Sequence, residues 1–135
     1  MTNLIVDTNV LVRAAIDDDQ VQTRRARAVM RDAERLVIAT TTLCEYVWVV
    51  SRVYRLPKAD ILRSIRLLVA GSNVSVDIAA VEAGLSFMEA GGDFADGVIA
   101  FEGRRLGGDM FATFDRRAAA LTEKAGRSAW LLSAD

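Results

Sequence analysis

The sequence predicts an α/β fold: a three-layer α/β/α sandwich around a parallel sheet of roughly five strands. Short runs such as Leu4-Ile5-Val6 alternate with helix-length stretches along the whole 135-residue chain. These runs are apolar throughout instead of alternating with polar residues, which marks strands covered on both faces. No linker, internal repeat or low-complexity stretch interrupts the pattern, so residues 1–135 read as one domain. The composition is 52% hydrophobic with one proline, enough for a core without disulfide or metal staples.

Leu4-Ile5-Val6 is the first strand, expected to be buried, and a helix starts near Thr8. Residues 20–35 form a second helix. At 100° per residue, Arg24, Arg27, Arg31 and Arg35 fall within about 80° of one another, opposite Ala26, Val29, Met30 and Ala33. Leu36–Ala39 is the second strand. Thr40-Thr41-Thr42 leads into the helix "LCEYVWVVSRVY", and Pro57 either ends it or opens the next, from about Lys58 to Ala70. Val74–Val76 is a third strand, and a helix from Ile78 stops at Gly91-Gly92. "DFADGVIAFEGRRLG" is a helix closed by Gly107-Gly108. Met110–Phe114 is a fourth strand, Asp115–Ala125 a helix and Ala129–Leu132 a fifth strand. Trp48 and Trp130 read as core residues.

Absences narrow the chemistry. The chain has no histidine, which excludes Ser-His-Asp triads, HExxH zinc sites and imidazole bases. It has no phosphate-binding loop of the G-x-x-x-x-G-K-[ST] type. Cys44 is the single cysteine, so an internal disulfide and a Cys-rich zinc site are also excluded. No apolar run approaches the roughly 20 residues that span a bilayer, and none reads as a signal peptide. A reducing cytoplasm is the expected setting. Carboxylates must then carry any catalysis, and clustered carboxylates suit a hard cation, Mg²⁺ or Mn²⁺. The stretch from Gly71 to Gly103 holds six acids and no basic residue.

Each candidate acid has two readings. Asp7, between Val6 and Thr8-Asn9, suits a helix N-cap. Thr42-Leu43-Cys44-Glu45 fits a T-x-x-E capping box, although its apolar neighbours suggest that Glu45 is buried. Asp93 and Asp96, three apart at a helix start, suit a cap and the helix dipole. Asp115, in "TFDRR", suits another cap. Together they suit something else. Turns from strand to helix lie at the carboxyl edge of a parallel sheet, where ligand sites form. Like charges about 4 Å apart repel by roughly 4 kcal/mol at an effective dielectric of 20, so converging acids call for a cation.

The quoted motifs "IVDTNVLV", "TTLCEYVWVV", "DFADGVIA" and "ATFDRR" stand in one order along the chain. In that order and spacing they resemble the PIN-domain ribonucleases, and within them the toxins of VapBC-type toxin–antitoxin pairs. The resemblance implies Asp7 and Asp96 as principal metal ligands. Glu45 and Asp115 complete the catalytic quartet, and these two and Asp93 reach the metal directly or through water. It implies Thr8 and Thr113 as polar supports behind the ligands. Gly97 stands where alanine is common, a departure expected to be harmless.

The implied reaction is endonucleolytic RNA hydrolysis by a metal-activated water, leaving 5′-phosphate and 3′-hydroxyl ends. RNA must be held by basic residues outside an acidic pocket, and Arg13 and the arginine stripe are candidates. The resemblance also implies a homodimer and a cognate antitoxin protein. Two rivals remain: a non-catalytic partner-binding module of the same fold, and a haloacid-dehalogenase-like phosphatase. The phosphatase lacks its second acid, since Thr8-Asn9 follows Asp7.

Overall fold

A computed structural model describes residues 2–133. The chain divides into two compact units, Met1–Ile78 and Ala79–Asp135. The first holds β1 (Asn3–Ile5), α1 (Thr8–Ala15), α2 (Gln20–Asp32), β2 (Arg35–Val37), α3 (Thr40–Arg52), α4 (Lys58–Val69) and β3 (Val74–Ser75). The second is built from α5 (Ile78–Glu89), α6 (Phe94–Arg105), β4 (Met110–Thr113), α7 (Arg116–Lys124) and β5 (Ser128–Leu131).

In the first unit the strands pair parallel in the order β1-β2-β3, with Leu4 opposite Leu36 and Leu36 opposite Val74. Parallel pairing requires long crossovers, which α1–α2 and α3–α4 provide. Alternate side chains point to opposite sheet faces. Val6, Leu36 and Ile38 are buried, and Leu4 shares their face. Ile5 and Val37 lie on the other face, where Ile5 is 81% exposed. The expectation of a fully buried first strand is therefore corrected: apolar runs cannot reveal which face packs when each strand is only three residues long.

Leu43, Tyr46, Val47 and Val50 form the buried stripe of α3, at helical spacing. Trp48 lies off that stripe and is 59% exposed, against the expectation of a core residue. Pro57 is the N-cap of α4. The α2 helix ends at Asp32, so Arg35 belongs to β2 and leaves the arginine stripe. Asn73 ties β3 back to α2, its amide donating to the carbonyls of Met30 and Ala33 at 3.0 Å each.

In the second unit β4 and β5 pair parallel across α7, which packs on both. Trp130 sits on the open face of this pair, 60% exposed, again not a core residue. The α5 and α6 helices approach closely at two glycines. A Cβ on Gly84 would lie 2.6 Å from the Phe94 ring, and one on Gly97 2.6 Å from the Ala83 carbonyl oxygen. Phe94 and Leu85 fill this core. The fold is α/β with parallel strands, as expected. Among the described residues five strands form a sheet of three and a pair, not one five-stranded ladder. Strand–helix alternation counts strands but does not say how many share hydrogen bonds.

Candidate functional site

In the first unit Asp7 stands where the chain leaves β1, in extended conformation, and α1 begins at the next residue, Thr8. Its Oδ1 accepts the Val10 N–H at 3.2 Å. The capping reading is thus correct, but the bond uses one carboxylate oxygen and leaves Oδ2. Glu45 neither closes a capping box nor is buried. The α3 helix starts at Thr40, and its N-cap, Ala39, makes no side-chain cap bond. Thr42 therefore lies inside the first turn, and Glu45 in the second, too far along to close a capping box. Glu45 is exposed, because it points away from the Leu43–Tyr46–Val47–Val50 stripe.

In the second unit Asp93 caps α6, its Oδ1 accepting the Ala95 N–H at 3.3 Å. Asp96 follows in the first turn of the same helix, half-buried. Asp115 caps α7 with the fullest geometry: Oδ1 accepts the Arg117 and Ala118 N–H groups at 2.8 and 3.1 Å. The Thr113 hydroxyl accepts the Asp115 N–H at 3.0 Å, so Thr113 holds the turn that presents Asp115. Burial, then the negative charges of Asp93 and Asp115, push the Asp96 carboxyl above the ordinary aspartate range. The structure thus places Asp93 and Asp115 within electrostatic reach of Asp96.

Arg117 is a residue that sequence reasoning missed. Its Nε donates to the Gly91 carbonyl at 2.7 Å, tying α7 to the turn just before Asp93. Gly91 has φ +105°, and a Cβ there would meet the Arg117 guanidinium at 2.6 Å. The arginine therefore fixes the turn carrying Asp93 and Asp96 against the turn carrying Asp115. The only available signal was the doubled arginine after Asp115, which reads equally well as solvated surface.

The arginine candidates differ in availability. Arg13 is half-buried, pairs with Asp18 at 2.7 Å and donates to the Tyr54 hydroxyl. Arg27 donates to the Ala14 carbonyl at 2.8 Å, and Arg31 pairs with Asp32 at 3.1 Å. Arg24 is exposed and forms no ion pair among the described residues.

Among the described residues none of Asp7, Glu45, Asp93, Asp96 and Asp115 forms an ion pair. Nor, among them, does any group of three or more carboxylates or thiols close into a metal-binding cluster. Within the second unit the side chains still suit a hard cation: the donors are all oxygen, the Asp93 and Asp115 caps leave one oxygen each, and Asp96 bears a charge that its surroundings disfavour. Comparison with protein families matches residues 4–124 to the PIN domain.

The chain belongs to the PIN-domain family. The match spans every acid discussed, from Asp7 to Asp115. PIN domains are generally nucleases and typically use divalent metals. Membership sets aside the haloacid-dehalogenase-like reading, already weak for want of its second acid. A comparison with curated proteins returned no match. Among the described residues of this PIN-domain chain, no helix is long and apolar enough to cross a membrane.

Proposed function

We propose that this PIN-domain chain is a Mg²⁺- or Mn²⁺-dependent endoribonuclease, acting as the toxin of a type II toxin–antitoxin pair of the VapBC kind. The observation that carries the nuclease reading is a set of acids that form no ion pair among the described residues, within a PIN domain, with Asp96 under the charge of Asp93 and Asp115. Asp7 and Asp96 are the principal ligands in this reading, with Glu45, Asp93 and Asp115 contributing directly or through water. When bound, the cation supplies Lewis acidity that lowers the pKa of a water and polarises the scissile phosphate. The protein's own part is positional. Capping bonds tie Asp7, Asp93 and Asp115 to their helix starts, Thr113 supports the Asp115 turn, and Thr8 opens α1 beside Asp7. The toxin role, the cognate antitoxin and the homodimer rest on the resemblance of the motifs, and the cytoplasmic setting on the lone cysteine and the lack of a signal-peptide pattern.

The test is RNA cleavage by the purified chain, on structured and single-stranded RNAs, with and without chelator. Cleavage is expected only with Mg²⁺ or Mn²⁺, leaving 5′-phosphate ends. Cleavage that persists in chelator removes the metal reading. A cation that raises thermal stability without any cleavage favours the non-catalytic partner-binding module. Co-purification with the product of an adjacent reading frame, and loss of activity on binding it, tests the toxin role separately.

A further inference from the structure

A second charged feature lies wholly within the second unit and involves none of the acids above. A cavity of about 390 Å³ opens among α5, α6 and α7. Small-molecule pockets span roughly 300–1,000 Å³, so it is large enough for one compact ligand. Alanines and Gly97 keep its floor low, and Phe87, Phe101 and Leu121 give it apolar walls. Arg104 and Arg127 both line it.

The two arginines are held in place from the backbone outward. Arg104 ends α6. Arg127 follows the C-terminal turn of α7, where Gly126 at φ +81° reverses the chain and the Arg127 N–H donates to the Thr122 carbonyl at 3.1 Å. Both guanidinium groups sit near helix C-termini, which favour cations and account for part of their placement. That does not account for two cations lining one cavity, neither of them in an ion pair among the described residues. Glu82 also lines the cavity, yet among the described residues neither arginine forms an ion pair with it or with any other carboxylate. Burial, then the positive charge of Arg127, lower the affinity of Arg104 for its proton. An anion bridging them would relieve this repulsion, and paired guanidinium forks suit the several oxygens of a phosphate.

We propose that this cavity binds one nucleotide, its phosphate between Arg104 and Arg127 and its base against Phe87 and Phe101. Aromatic faces beside a guanidinium fork are the means by which single nucleotides are held without sequence preference. The phosphate fork stands on the cavity alone. The choice of a nucleotide over another anionic aromatic ligand rests on the ribonuclease reading. The bound nucleotide is either free or one residue of an RNA strand held away from the acids.

The experiment is titration of the whole chain in chelator, so that no cleavage intervenes, with inorganic phosphate, adenosine 5′-monophosphate and a short single-stranded RNA. Amide shifts in NMR spectra and calorimetry are the readouts. The mononucleotide should shift Gly97, Ala100 and Ala125 and bind at least tenfold tighter than phosphate. Arg104→Gln and Arg127→Gln should each weaken both ligands at least fivefold without changing the melting temperature. Phe101→Leu should erase the preference for the mononucleotide over phosphate. RNA that competes with the mononucleotide identifies a strand as the source, and RNA that does not compete identifies a free nucleotide. No shifts at millimolar ligand, equal binding of phosphate and mononucleotide, or binding indifferent to both arginine variants overturns the proposal. Metal-dependent cleavage is measured apart, so loss of either reading leaves the other standing.

Discussion

At the scale of single residues, capping leaves the proposed metal binding open. Asp7, Asp93 and Asp115 each spend Oδ1 on helix N–H groups. Asparagine caps about as well as aspartate, so Asp7→Asn is expected to leave metal-free stability within about 0.5 kcal/mol of wild type. Metal-dependent cleavage should nevertheless be lost. Asp96→Asn should behave differently. Burial and the charges of Asp93 and Asp115 raise the Asp96 carboxyl, so the native state prefers it protonated. Its stabilising contribution is full below the unfolded value, about 3.9, and is lost as pH rises through the higher native value. At neutral pH the ionised group therefore costs stability, and the metal-free asparagine variant should melt above wild type. The gain should be at most a few degrees, since water screens a half-exposed carboxylate. It should shrink to nothing as pH falls below about 4. Mg²⁺ should reverse the order, because wild type gains up to about 2.7 kcal/mol at a hundredfold excess over Kd and the variant gains less. Equal melting of both proteins at neutral pH, with equal shifts by Mg²⁺, would show that Asp96 is not a ligand. A pH series of thermal melts with and without Mg²⁺ reads all of this.

At the scale of elements, most of the order was legible because the punctuation is chemical. Gly91-Gly92 follows α5, Pro57 caps α4 and Asp115 opens α7, each where the strand–helix pattern changes. What the sequence hid were relations across space. Thr42 and Glu45 have capping-box spacing, but the helix starts two residues before Thr42, and spacing alone cannot fix a start. Trp48 looked like core because its neighbours are apolar, although the 3.6-residue period places it off the buried stripe. The places of Asp7, Asp93, Asp96 and Asp115 at helix starts were readable, whereas that of Glu45 was not, and the Arg117–Gly91 tie needs residues 26 apart in sequence. Gly97 shows the limit best. Replacing a common alanine by glycine looked harmless, yet this glycine permits the close approach of α5 and α6. A Cβ there would lie 2.6 Å from both the Ala83 carbonyl oxygen and the Phe87 Cβ, and 3.0 Å from the Gly84 Cα. Two of these atoms are backbone and cannot rotate away. Gly97→Ala should therefore destabilise by about 1–3 kcal/mol, despite alanine's helix preference of up to about 1 kcal/mol. Urea unfolding measures this, and a variant as stable as wild type would mean that the helices have room to part.

At the scale of the whole molecule, charge bears on how the proposed RNA substrate would be held. The net charge is −1, so the chain has no general attraction for a polyanion. It is uneven: Met1–Ile78 carries 11 Lys/Arg against 9 Asp/Glu, whereas Ala79–Asp135 carries 6 against 9. RNA binding should therefore be local and fall steeply with salt, each released counterion adding to the slope. The arginines of the first unit allow a sharp contrast. Arg13 is committed to the fold through Asp18 and the Tyr54 hydroxyl, with its guanidinium over the Tyr54 ring at 5.9 Å. Removing it should cost about 1–2 kcal/mol of stability. Arg24 is exposed and outside any ion pair among the described residues, so Arg24→Ala should change stability by less than about 0.5 kcal/mol. If Arg24 contacts a phosphate, its loss should weaken RNA binding about equally across sequences and lower the logarithmic salt slope by about 1. The measurement is binding of a labelled single-stranded RNA in chelator over a salt series, beside thermal melts of both variants. A slope unchanged by Arg24→Ala would place the RNA path elsewhere. Arg13→Ala that weakens RNA binding and leaves the melting temperature untouched would make Arg13 the contact instead, free of the structural duty its partners assign to it.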